Sequence, residues 1–335
     1  MALTVIMRSF EKISFALGLT ALVVCGQAPK QLLEALPPTS KAVTIEYVNP
    51  FDQSKSEALV ELPGRLDRPL PLIVTPHGAN WTQEMNRSLW SGVCEQFHAI
   101  IVYPRHQGKF NPRVSLGSAR QMANLTAAVE EVKRRYKVDT RRIYAGGISQ
   151  GAIETLLLLG HDPEKFAGGI AMNPIPDMLA FYADTAPGEA EKTANEPLRK
   201  LRMAQWPALH KLLEADLGGT PDTARAEYYR RSAVIYARQL ASVRLILYWS
   251  DNDELIPKGQ QHQGGVLADL IRTFHPKAFQ EVKHTGGHGY PFYRVDLSKM
   301  QVEIFPRDIF LNSVKQMLGT PAGGGRRSNA NTGRD

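Results

Sequence analysis

Residues 139–160 read Asp139-Thr140-Arg141-Arg142-Ile143-Tyr144-Ala145-Gly146-Gly147-Ile148-Ser149-Gln150-Gly151-Ala152-Ile153-Glu154-Thr155-Leu156-Leu157-Leu158-Leu159-Gly160. Arg142–Ala145 has the make-up of a short buried strand, and Ala152–Leu159 that of an apolar helix stopped by Gly160, with Pro163 just beyond. Between them lies Gly147-Ile148-Ser149-Gln150-Gly151. A serine on so tight a strand-to-helix turn projects its hydroxyl above the sheet edge. Glycines two before and two after are needed because neighbouring chains crowd the turn. A plain glycine-rich turn between strand and helix is the blander reading of the same five residues.

Working outward, short apolar runs bounded by turn signals recur: Ala42–Val48, Glu57–Glu61, Leu70–Val74, Ala99–Tyr103, Phe166–Met172, Val243–Trp249 and Ala278–Lys283. Between several of them lie helical patterns. At 118–136, Met122, Leu125, Val129, Val132 and Tyr136 fall on one helical face. Val266–Phe274 and Asp308–Leu318 also have helical period, the latter stopped by Gly319. Alternation of apolar strands and helices predicts an α/β fold with a mainly parallel central sheet flanked by helices, and an antiparallel hairpin at its start. Residues 175–240 carry no strand signal and read as a helical cap insertion. Their aromatic residues Phe181, Tyr182, Trp206, Tyr228 and Tyr229 are available to touch substrate or to form the insertion's own core.

A serine hydroxyl is a poor nucleophile near neutral pH and needs a base, itself oriented by a carboxylate. Beyond the strand at 243–249 comes Ser250-Asp251-Asn252-Asp253-Glu254-Leu255-Ile256-Pro257, and beyond that at 278–283 comes His284-Thr285-Gly286-Gly287-His288-Gly289-Tyr290. Both segments start where open α/β sheets place ligands, outside the carboxyl ends of the strands. Asp253 is preferred over Asp251, which suits a turn cap. His288 is preferred over His284, because the flanking glycines let its ring swing toward the serine. The oxyanion of an acyl-transfer intermediate requires preorganised N–H donors. Gln150, directly after the nucleophile, is one candidate, and Ala79 in Pro76-His77-Gly78-Ala79-Asn80 is the other. Trp81 is a candidate wall of the substrate site, or packs beneath that loop. No spacing of Cys or His suggests a metal, and no cofactor motif is present.

The 335 residues are 43% hydrophobic and 22% charged, with a net charge of +7. That is an ordinary globular balance. No dense basic block or nucleic-acid motif lies within the domain, so no nucleic-acid partner is expected. Arg8 and Lys12 followed by the apolar run Ile13–Val24 read as a secretory signal, too short for a stable membrane span. The expected organisation is signal peptide 1–26, linker 27–40, catalytic domain 41–320 and disordered tail 321–335. The expected location is secreted or periplasmic, with Cys25 as an alternative lipid-anchoring residue. Only Cys94 would remain in a processed chain, which leaves no intramolecular disulfide.

The run 139–151 with His77-Gly78 upstream resembles the α/β-hydrolase superfamily. Tyr228-Tyr229-Arg230-Arg231-Ser232-Ala233 ahead of the strand at 243–249, then Asp253 and His288, resembles the catalytic domains of prolyl-oligopeptidase-like enzymes. Secreted feruloyl, acetyl-xylan and polyhydroxybutyrate esterases are similar. The resemblance implies an α/β-hydrolase fold and a serine hydrolase acting through Ser149, Asp253 and His288 on a small-molecule or polymer-linked ester. A peptidase is the second expectation, though 335 residues leave no room for the propeller of prolyl oligopeptidases. A binding protein that has kept the fold without catalysis is the third.

Overall fold

A computed structural model describes residues 40–256, 260–296 and 301–319. The expected signal segment, most of the linker and the tail lie outside the described residues. Eight strands form one sheet: β1 (Ala42–Val48), β2 (Lys55–Glu61), β3 (Leu70–Val74), β4 (Ile100–Pro104), β5 (Val138–Ile148), β6 (Gly168–Met172), β7 (Arg244–Ser250) and β8 (Phe279–His284). Their spatial order is β1-β2-β4-β3-β5-β6-β7-β8. β1 and β2 pair antiparallel, as do β2 and β4, and every pairing from β4 through β3 to β8 is parallel. This is the α/β-hydrolase fold.

The parallel strands are apolar on both faces because both are covered. Along β3, Leu72 and Val74 face one core while Ile73 faces the other, the period of two that a pleated strand imposes. On the first face pack α3 (Ala119–Arg135), α4 (Gln150–His161) and α9 (Val266–Thr273). On the second lie α1 (Gln83–Leu89), α2 (Val93–Phe97) and α10 (Asp308–Leu318), with Trp90 and Phe310 meeting edge to face at 5.0 Å. Cys94 is buried there, and burial pushes its thiol up to about 12, so it offers no thiolate.

Residues 175–240 are helical among the described residues: α5 (Met178–Asp184), α6 (Glu196–Leu217), α7 (Arg225–Arg230) and α8 (Ala237–Leu240). Phe181, Trp206 and Tyr228 are buried, Phe181 and Tyr228 within the core of the first face, and Arg202 lies over the Trp206 ring at 4.9 Å. The buried Arg231 ties the segment down: it pairs with Asp216, and its Nη1 reaches the Ser115 carbonyl at 3.5 Å.

Sequence pattern understated β5 the most. It begins at Val138 rather than Arg142, because its first turn of sequence, Asp139 to Arg142, lies at the wet end of the sheet and lacks apolar character. The short helices α1 and α2 carry too few turns for a period to show. The hairpin of β9 (Tyr293–Asp296) and β10 (Gln301–Ile304) stands apart from the main sheet and was likewise silent in the pattern. No described helix is long and apolar enough to cross a membrane.

Candidate active site

Four neighbouring parallel strands, β5 to β8, end at the same edge of the sheet, and each delivers a polar side chain there. β5 is followed directly by Ser149, the N-cap residue of α4, with φ 57° and ψ −123°. This left-handed φ costs a serine of order 1–3 kcal/mol and is held by its surroundings. The Ser149 N–H donates to the Met172 carbonyl at 2.9 Å, and a Cβ on Gly147 would stand 2.5 Å from the Gly151 backbone. Neither glycine of the pentapeptide tolerates a side chain without a shift of main chain.

β7 leads to Asp253 and β8 to His288. Asp253 Oδ2 accepts from His288 Nδ1 at 2.7 Å and from Gln260 Nε2 at 2.9 Å, while Oδ1 accepts the N–H groups of Leu255 and Ile256, each at 3.0 Å. Burial alone would raise the Asp253 carboxyl. The imidazolium of His288 and these donors outweigh it and hold Asp253 below its ordinary range. Burial likewise disfavours the His288 cation, but Asp253 prevails and holds the histidine above its ordinary value. The His288 main-chain N–H donates to Glu254 Oε2 at 2.8 Å, which fixes the loop from its other side.

The two competing candidates sit elsewhere. Asp251 pairs with Lys283 at 2.6 Å on the surface. His284 Nε2 donates to Asn173 Oδ1 at 2.9 Å, its ring stacks on Tyr290 at 4.2 Å, and burial lowers its pKa to about 4. Asn173, at the end of β6 with φ 49°, also donates from Nδ2 to the carbonyls of His288 (2.8 Å) and Tyr290 (2.9 Å). It therefore pins the histidine loop at three points. Sequence reasoning missed it. Its one signal is a polar residue tolerant of left-handed backbone directly after an apolar strand.

The loop after β3 brings His77, Gly78 and Ala79 beside the elbow, close enough that a Cβ on Gly151 would stand 2.2 Å from the Pro76 oxygen. His77 Nδ1 donates to the Gly78 carbonyl at 2.9 Å, and Trp81 N–H donates to the same oxygen at 3.2 Å. In a trans peptide this turns the Ala79 N–H to the opposite side. The Gln150 N–H opens α4, where main-chain donors have no intrahelical partner and the helix dipole favours negative charge. The Trp81 ring lies against Gly78, 3.3 Å from where a Cβ would be, and packs at the margin of the second core. Asp253 and His288 are thus in contact, whereas no hydrogen bond joins Ser149 to His288 among the described residues. Such bonds commonly close only when substrate is bound.

The prolyl oligopeptidase family matches residues 117–215. Feruloyl esterase B of Talaromyces funiculosus is 25% identical over 189 residues, which are 53% of this chain and 54% of that one. Probable acetylxylan esterase A of Aspergillus clavatus is 27% identical over 179 residues, 48% of this chain and 56% of that one. The chain spans about half the length of these curated relatives. Among solved structures, the carboxylesterase EstE1 from a metagenomic library superposes with a TM-score of 0.58 at 16% identity, covering 90% of this chain and 97% of its own. That likeness concerns the fold.

Proposed function

We propose that this chain, an α/β-hydrolase-fold protein of the esterase and peptidase type, cleaves carboxylic esters through an acyl-serine intermediate on Ser149. The observation that carries the reading is the Asp253–His288 pair on loops at the sheet edge where the strained elbow presents Ser149. His288 Nε2 takes the Ser149 proton as Oγ bonds the ester carbon, and the carbonyl electron pair moves to oxygen. The N–H groups of Gln150 and Ala79 stabilise that oxyanion. The imidazolium then protonates the departing alcohol, the C–O bond breaks, and an acyl-serine remains. Water, deprotonated by His288, attacks the acyl carbon; the imidazolium returns that proton to Ser149 Oγ as the acyl C–O bond breaks, which releases the acid and restores the hydroxyl. Asp253 holds the Nδ1–H tautomer throughout.

An ester is favoured over a peptide because the similar curated relatives are named esterases. An alcohol also leaves more readily than an amine from the same machinery. The prolyl oligopeptidase match supports peptide cleavage as a second reading. Labelling by a fluorophosphonate probe, lost in Ser149→Ala, tests the nucleophile. Rates on short p-nitrophenyl esters against dipeptide anilides decide between the two bonds, and faster anilide cleavage would reverse the preference. Residues 175–240 are read as a cap over the substrate, and residues 1–26 as an export signal. Secreted protein whose mass retains residues 1–26 would overturn the latter.

The pH dependence follows from the Asp253–His288 pair. His288 acts as a base only when neutral, and its pKa is raised, so kcat/KM falls as pH drops through a value above the ordinary histidine range. Asp253→Asn removes the carboxylate that raises it. The acid limb then shifts to lower pH, and kcat drops about 10³–10⁴-fold because the tautomer is no longer enforced. An acid limb unmoved in this variant contradicts the assigned pair.

A further inference from the structure

We propose that the buried pair Glu154–His106, beneath the elbow, is a positioning device that sets both oxyanion donors at once, an inference that rests on the ester-hydrolase reading. Glu154 lies on α4, one turn beyond Gln150, and is fully buried in a mainly apolar helix. A carboxylate so placed requires compensation. It accepts from Ser115 Oγ, from Gln121 Nε2 at 3.2 Å, and faces His106 Nε2 at 3.0 Å.

The proton positions follow from the network. Gln150 Oε1 accepts the N–H groups of Ser115 (2.9 Å) and Leu116 (3.3 Å), so its amide nitrogen faces His106 Nδ1, 2.8 Å away. His106 Nδ1 is therefore an acceptor and the ring proton sits on Nε2, which has no aligned hydrogen-bond partner among the described residues and lies 3.0 Å from the Glu154 carboxylate. The His106 ring stacks on His77 with centroids 3.5 Å apart and planes 22° from parallel. His77 in turn holds the Gly78 carbonyl through Nδ1–H. Burial, then the neighbouring His106, keeps His77 well below its ordinary pKa and hence neutral, and the bond to Gly78 places its single proton on Nδ1.

One imidazole thus grips the side chain of Gln150, whose main chain is one oxyanion donor, and supports the ring that orients Ala79, the other. Glu154 abuts that imidazole, its carboxylate 3.0 Å from Nε2. Neither Glu154 nor His106 reaches the hydroxyl or the substrate; each acts through Gln150 and His77.

The test compares wild type with His106→Phe, which keeps the stacked ring but loses both nitrogens, and with Glu154→Ala and Glu154→Gln. The probes are p-nitrophenyl butyrate and a trifluoromethyl ketone. The ketone forms a hemiketal with Ser149 and places its oxyanion in the same hole. The expected result for His106→Phe and Glu154→Ala is kcat lower by roughly 10–100-fold at nearly constant KM. The ketone Ki should rise in proportion, and Glu154→Gln should recover much of the loss. Rates are expressed per folded molecule, with thermal melts as control. Should Glu154→Ala fail to fold, Ser115→Ala removes one donor to Glu154 at little cost in volume and should show a smaller loss of the same kind. Variants that only melt earlier, with kcat and ketone Ki unchanged, overturn the inference. Wild-type hydrolysis that does not depend on Ser149 would instead overturn the ester-hydrolase reading.

Discussion

Ser149→Ala is expected to lower kcat on p-nitrophenyl esters by about 10⁵-fold or more while leaving the protein folded. The size of the loss reflects what one atom does: without Oγ no acyl intermediate forms, and the Asp253–His288 pair has no proton to take from the enzyme. Residues of such a unit act together, so removing the nucleophile alone forfeits nearly everything they supply jointly. A small residue remains from substrate binding and the oxyanion donors. Folding is spared because the Ser149 side chain makes no capping bond at the start of α4, and the contacts that hold the elbow are main-chain: its N–H to Met172, and the close approach of Gly147 to Gly151. Alanine meets the same left-handed φ at similar cost. Thermal melts should therefore nearly coincide, and steady-state assays on the two proteins check the rate. A melt-matched variant retaining more than a hundredth of wild-type activity would show that another group is the nucleophile.

What could be read in advance, and what could not, divides along a physical line. The elbow is legible because its demands are local: a buried strand, two glycines where main chains cross, and an apolar helix all fall within 22 consecutive residues. Asp253 and His288 are legible because each follows an apolar strand, and parallel strands present their carboxyl ends at one edge. Choosing them over Asp251 and His284 rested on loop composition; the structure separates the two pairs by what surrounds them, Lys283 and solvent for Asp251, Asn173 and Tyr290 for His284. Asn173 and His106 escaped because their roles are set by partners on other elements far along the chain, and no local period encodes such a pairing. Glu154 is the instructive case. A carboxylate inside Ala152–Leu159 is an anomaly that burial makes costly, and the anomaly alone predicts a buried partner without naming it.

Gly151→Ala is expected to be a severely damaging one-methyl change, costing about 3 kcal/mol or more and most of the activity. A Cβ at this position would stand 2.2 Å from the Pro76 oxygen, 2.9 Å from its carbonyl carbon and 3.2 Å from the His77 carbonyl carbon. These are main-chain atoms of the loop that carries Ala79, so no rotamer can relieve the clash; either α4 or the loop must move. Overpacking against a rigid neighbour of this kind reaches the upper end of what added methylenes cost. The movement would separate the Gln150 and Ala79 N–H groups, so kcat should fall alongside stability and remain low even well below the melting transition. Gly64→Ala supplies the contrast, because nothing lies within 4 Å of its Cβ, and it should change stability by no more than about 0.5 kcal/mol. Denaturant melts of the two variants, with esterase rates measured on the folded baseline, make the comparison. Equal stabilities for Gly151→Ala and Gly64→Ala would mean that the elbow does not pack against the loop after β3, and the arrangement of the oxyanion donors would fall with it.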